Sequence, residues 1–229
     1  MPITSSLSPL KPFYSQIGRP IYNLSLYLVT HPIDDNKEFV EKVKKAVQGG
    51  VTCVQYRDFK NDFPTRVRLA SCLKDTLRSF GVPLMINSDL DLAKAIQAHG
   101  VYLENKEVSW QKARDVLGHQ SVIGVPASTL EEVRTAEKWD IDYLSIKVFP
   151  SQTTSTSSQQ TWGLEGLKTV RTISQHRLVA IGHIFGNLEA VLKTLQVSER
   201  GDGIAMIGDL WRAQDPRVTA QQIQTCVKK

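Results

Sequence analysis

Cysteine is scarce: three residues, Cys53, Cys72 and Cys226, in a chain of 229. They are too few for a disulfide framework and too widely spaced for a metal knuckle, so they read as reduced thiols, with Cys53 a core filler. Long apolar runs are missing as well. No stretch approaches the roughly 18 consecutive apolar residues of a membrane-spanning helix, and the first residues lack the charged start and apolar core of a secretory signal. The expectation is a cytoplasmic protein with no membrane partner. Charge of one sign is not concentrated either: 28 Lys and Arg stand against 23 Asp and Glu, a net +5 scattered along helical segments. Without a basic block the sequence argues against nucleic acid and leaves phosphorylated small molecules open as partners. At 41% hydrophobic and 22% charged residues, the chain is far from a disordered composition and long enough to bury a sizeable core.

Residues 1–22 carry prolines at 2, 9, 12 and 20 and no sustained period, which marks an N-terminal extension that either wraps the domain or stays mobile. From residue 23 to 229 short apolar runs alternate with segments of helical spacing. The expected strands are Leu24–Thr30, Thr52–Tyr56, Pro83–Asn87, Gly100–Leu103, Ser121–Val125, Tyr143–Val148, Leu178–Gly182 and Gly203–Gly208. The expected helices are 36–48, 63–80, 89–98, 108–117, 129–138, 164–175, 186–196 and 214–227. Strands such as Leu178-Val179-Ala180-Ile181 lack polar alternation, as parallel strands covered on both faces do. Eight consecutive strand–helix units fit a single (β/α)8 TIM barrel better than an open doubly wound sheet, and no GxGxxG opens the first unit to suggest a dinucleotide.

A barrel of this kind gathers its chemistry at the C-terminal strand ends. The polar residues there are Thr30 and His31; Gln55, Arg57 and Asp58; Asn87, Ser88 and Asp89; Glu104, Asn105 and Glu107; Ser128; Lys147; Gly182 and His183; Gly208 and Asp209. The hydroxyl-rich segment 151–161 follows the sixth strand and reads equally as a lid or as a bland insertion.

These windows, together with Leu26-Tyr27-Leu28-Val29-Thr30, Gly49-Gly50-Val51-Thr52, Asp91-Leu92-Ala93, Gly100-Val101-Tyr102-Leu103, Trp162-Gly163-Leu164-Glu165-Gly166-Leu167, Val179-Ala180-Ile181-Gly182 and Gly201-Asp202-Gly203-Ile204-Ala205, resemble the thiamine-phosphate synthase superfamily, which includes the thiazole tautomerases. The resemblance runs from Leu26 to about Pro216 in the family's order. It implies a transferase of thiamine biosynthesis that joins 4-amino-2-methyl-5-(diphosphooxymethyl)pyrimidine to a thiazole phosphate and releases pyrophosphate. It also implies Mg2+ as cofactor. Both substrates are phosphorylated, which suits cationic side chains, a divalent metal and backbone donors. Self-association is left open.

The resemblance implies Gln55, Arg57, Lys60 and Asn87 on the diphosphate side. Lys60 stands one place after Phe59, where the family has its lysine, and Asn87 reads alternatively as the cap of the following helix. For the metal the resemblance implies Glu107, while Ser88 occupies the place of the family's first carboxylate and Asp89 is the substitute beside it. A serine hydroxyl is a poor replacement for an anionic oxygen toward a hard cation. On the thiazole-phosphate side it implies Thr153, Thr154, Gly182, His183, Ile207 and Gly208. His183 reads either as a phosphate donor or as a filler of phosphate space. Pro126 replaces the synthases' serine, Ser128 the tautomerases' histidine and Ser155 the family's lysine. These departures sustain an alternative, a catalytically degenerate relative that binds a pyrimidine or phosphate ligand as a regulatory or partner module.

Overall fold

Parallel strands that must be covered by helices on one side and by each other on the other carry apolar residues at successive positions, and the strands here do so in two registers. The computed structural model describes residues 19–32, 35–104, 108–150, 161–195 and 200–227, with the backbone of the strand Phe13–Tyr14. Eight strands, β1 Leu26–Val29, β2 Cys53–Tyr56, β3 Leu84–Asn87, β4 Gly100–Tyr102, β5 Val122–Ala127, β6 Tyr143–Lys147, β7 Arg177–Ile181 and β8 Gly203–Met206, pair in parallel and in chain order. β8 returns to β1 through Ile204 opposite Leu26 and Met206 opposite Leu28, and this pairing closes the barrel.

Alternate positions split into two cores. Leu26, Leu28, Val54, Leu84, Ile86, Leu144, Leu178 and Ile204 face the outer helices, whereas Tyr27, Val29, Cys53, Met85, Tyr102, Tyr143, Val179 and Ala205 fill the barrel. Gln55 and Asn87 share the parity of the second group, so the pleat turns both inward at the top of their strands. Gly124 is required by this interior: a Cβ there would run into the Tyr143 ring. The helices are α1 Asn36–Gln48, α2 Phe63–Arg78, α3 Leu90–Ala95, α4 Trp110–Leu117, α5 Leu130–Ala136, α6 Gly163–Ile173, α7 Leu188–Thr194 and α8 Pro216–Val227. Asp35, Asp62, Asp89, Ser109 and Thr129 cap the first five through side-chain oxygens, each satisfying donors that the first turn leaves unpaired.

Several boundaries differ from the sequence reading by one to three residues, and three of these differences have a local cause. α3 ends at Ala95 rather than 98, because Gln97 takes a left-handed φ of 51° that a helix cannot continue through. The segment expected as helix 186–196 begins as a 3-10 turn over Phe185–Asn187. β8 stops at Met206, since Gly208 already opens a short helix, Gly208–Trp211.

The N-terminal end of the barrel is sealed by charge. Arg19 is buried and donates to Asp140 at 2.8 Å, to Asp142 at 3.1 Å and to the His119 carbonyl at 2.7 Å, so the end of the extension is tied to the barrel. Nearby, both oxygens of Asp202 accept from Arg171 Nη1, at 2.9 and 2.7 Å, while Nη2 donates to the Ser174 and His176 carbonyls, and the pair is buried.

Candidate active site

The strand register that turns Gln55 and Asn87 inward also sets them side by side. Gln55 Nε2 donates to Asn87 Oδ1 at 2.6 Å, and Asn87 Nδ2 donates to Glu104 Oε2 at 3.0 Å. The relay defines the Asn87 amide: turned over, its NH2 would face another NH2 and its carbonyl a carboxylate. Arg57 Nε lies 3.5 Å from the same Glu104 oxygen, and its guanidinium sits 4.8 Å from the centroid of the exposed Phe59 ring. Its backbone N–H donates to Thr30 Oγ1 at 3.1 Å. An amide donor and a half-buried guanidinium thus meet at one anionic oxygen, which is what a seat for a diphosphate oxygen requires. Phe59, at the place where the resemblance implies a lysine, instead sets its ring against Arg57.

Asp58 shapes the turn that carries Arg57. Its carboxylate accepts from Tyr56 Oη at 2.7 Å, Lys60 N at 2.9 Å, and Asn61 N and Nδ2 at 3.1 and 2.8 Å. Burial opposes its ionisation, but these hydrogen bonds outweigh burial and hold the carboxyl below its ordinary range. Lys60 stands on the exposed side of the turn.

Ser88 adopts φ 58°, a left-handed conformation. Its Oγ accepts from Glu104 N at 2.9 Å and donates to the Tyr102 carbonyl at 3.3 Å, so the residue at the place where the resemblance implies a carboxylate holds the backbone of Glu104. Asp89 does not stand free to substitute. One oxygen caps α3 at Leu92 N, 2.8 Å, and the other accepts from Arg66 Nη1 at 2.6 Å. The helix cap is therefore Asp89 and not Asn87, whose amide is turned toward Gln55 and Glu104. Glu107 lies outside the described residues, as do Thr153, Thr154 and Ser155. Among the described residues no group of three or more His, Cys, Asp or Glu is close enough to hold a metal.

Across the mouth, Gly182 takes φ 139°, and a Cβ there would meet the Phe149 carbonyl, so a side chain is excluded where β7 passes the loop after β6. His183 Nδ1 lies 2.9 Å from Asp209 Oδ1, a partner the sequence reading did not give it. The two line a groove of about 640 Å³ with Phe185, Ala213 and Val218. Gly208 opens its short helix beneath Arg212: a Cβ added at Gly208 would lie 2.6 Å from Arg212 Nη2. The sequence reading missed Arg212. The signal was its place four residues past Gly208, one helical turn, from which a side chain leans back over the helix start. Pro126 sits inside β5 opposite Ser145, and Ser128 spends its N–H on Glu132 at 2.7 Å. Beneath the mouth, Tyr102 Oη and Ser145 Oγ share a buried hydrogen bond of 2.7 Å, and burial pushes the Tyr102 phenol far above its usual range.

Residues 26–210 match the family model described as thiamine monophosphate synthase. Among curated relatives, the thiamine-phosphate synthase of Albidiferax ferrireducens is 37% identical over 206 residues, covering 89% of this chain and 92% of the relative. That of Syntrophomonas wolfei is 36% identical over 202 residues, covering 87% and 94%. The chain belongs to the thiamine monophosphate synthase family. Among solved structures, thiamine phosphate pyrophosphorylase from Pyrococcus furiosus superposes with a TM-score of 0.78 at 29% identity, covering 90% of this chain and 96% of that one. Orotidine 5'-phosphate decarboxylase from Pyrococcus horikoshii, at TM-score 0.63 and 10% identity, shares the fold alone. The family match begins with β1 and ends inside the short helix after β8, so it takes in every strand end that faces the mouth.

Proposed function

We propose that the protein is a thiamine-phosphate synthase, joining the aminopyrimidine methyl diphosphate to a thiazole phosphate with release of pyrophosphate. The observation that carries the reading is the convergence of Asn87 Nδ2, oriented by Gln55, and Arg57 Nε on one anionic oxygen. In the reaction the bond between the pyrimidine methylene and the diphosphate oxygen breaks with its electron pair leaving on the diphosphate, and the thiazole nitrogen then captures the methylene cation. Negative charge grows on the leaving group as that bond lengthens. Donors already aimed at its oxygens stabilise the transition state more than the ground state. Arg57 and Asn87 do this on the diphosphate side, with Lys60 on the adjacent turn. Gly182, His183, Ile207 and Gly208, with Thr153 and Thr154, hold the thiazole phosphate, and Arg212 adds a cation there.

Mg2+ fits the donors on the diphosphate side, since it is commonly held through one or two carboxylates plus substrate phosphates, and Glu104 offers an exposed carboxylate beside Asn87. When bound it supplies positive charge to the departing diphosphate. The test is pyrophosphate release from the purified protein with both substrates across a magnesium titration. Turnover that rises with Mg2+ is the expected result. A folded protein that binds the pyrimidine diphosphate and releases no pyrophosphate refutes the synthase and leaves a binding module.

A further inference from the structure

Ser88 lacks the charge that the family's carboxylate brings to the metal, and Asp89 is held by α3 and Arg66. Asp58 is taken up by Tyr56, Lys60 and Asn61 in its own turn, so Glu104 is the remaining described carboxylate on this side of the mouth, and the sequence alone assigns it no ligand. Its Oε2 rests on Asn87 Nδ2 and faces Arg57, while its Oε1 has no partner among the described residues; the side chain is 43% exposed. We infer that Glu104 is a carboxylate ligand of Mg2+ in this chain, supplied from the loop after β4 in place of the one missing at position 88.

The geometry gives a reason for the exchange. Ser88 Oγ accepts from Glu104 N at 2.9 Å, so the hydroxyl that replaces an anionic ligand positions the residue that provides another. It also creates an electrostatic problem that a divalent cation resolves. Glu104 sits in the seat that the Asn87 amide and Arg57 form for a diphosphate oxygen, and two anions cannot share that seat without repulsion. A cation between Glu104 Oε1 and the diphosphate turns the repulsion into two attractive contacts. Diphosphate binding in this protein is then coupled to the metal through one side chain.

The inference rests on the synthase reading only for the identity of the metal, and its test uses binding without turnover. Inorganic pyrophosphate is titrated calorimetrically into wild type and Glu104→Gln, each with Mg2+ and with chelator. Glutamine keeps the length and an acceptor for Asn87 and removes the charge. In wild type Mg2+ should tighten binding at least about tenfold, the order of a charge-assisted contact. In Glu104→Gln that gain should fall below about threefold, and metal-free pyrophosphate should bind more tightly than to wild type because the repelling charge is gone. Glu104→Asp, with the charge on a shorter arm, should recover part of the gain. A wild-type-sized gain in Glu104→Gln overturns the inference, as does wild type binding with no gain. Tighter binding of Mg2+-pyrophosphate by Glu104→Gln than by wild type would make Glu104 a mere occupant of the empty seat and overturns it too. Failure of the synthase reading shows separately, as absence of pyrophosphate release from the two organic substrates.

Discussion

Replacing Arg57 by alanine removes the guanidinium that faces the anion seat. Its side chain is 22% exposed, it lies 3.5 Å from the Glu104 oxygen, and Phe59 backs its planar face. A hydrogen bond to a charged group contributes about 1.5–3 kcal/mol in such a partly desolvated place. At about 1.4 kcal/mol per factor of ten, pyrophosphate should bind Arg57→Ala roughly 10- to 100-fold more weakly than wild type. The alanine also leaves Glu104 in the seat without its cation, so part of the loss is repulsion. Adding Glu104→Gln to Arg57→Ala should therefore return some metal-free affinity, and the double-mutant cycle separates the two parts. Arg57→Lys keeps the charge but loses the fork and its stacking on Phe59, and should fall between. The assay is calorimetry with inorganic pyrophosphate at fixed ionic strength, because salt screens exposed charge. Binding by Arg57→Ala within about twofold of wild type would show that the seat lies elsewhere.

Three further outcomes test other parts of the structure. Asp202→Asn leaves Arg171 buried without its counter-charge while the fold is otherwise intact, and should lower the urea-unfolding free energy by about 3–5 kcal/mol; a loss under about 1 would mean that water reaches the pair. His99 is kept unprotonated by burial, reinforced by the Lys74 charge, and its Nδ1 accepts from Leu84 N at 3.0 Å. Its folded pKa is below 6.5, so the unfolded chain takes up the proton first: stability is full above about pH 6.5 and declines as pH falls toward the folded value. Urea midpoints measured at pH 7.5 and 5.5 should show this decline, and His99→Gln should flatten it; an unchanged slope in the variant assigns it to other groups. Arg212→Ala should raise KM for the thiazole phosphate about tenfold and leave KM for the pyrimidine diphosphate unchanged. Equal increases in both would remove Arg212 from the phosphate side.

The barrel was legible because its determinants are local: each β strand is an apolar run and each following helix carries its own period and, through the first five, its own capping side chain. Gln55 and Asn87 were legible for the same reason, since a strand-end position and its parity follow from the run that precedes them. What did not follow were the partners. Asp89 looked available beside Ser88 until Arg66, 23 positions away on α2, was seen to take one oxygen and the α3 start the other. Arg212 lay beyond the last strand-end window, and only the short helix from Gly208 swings it back. Glu104 stood in the right window without a role, because its meeting with Asn87 depends on the β3–β4 register that sets Asn87 opposite Tyr102 and on the left-handed turn at Ser88. Nothing in the spacing of 87, 88 and 104 encodes that contact. The loss of a carboxylate at one loop and the gain of one at the next are separate facts in the chain and become a single compensating change only when the two loops are brought against each other.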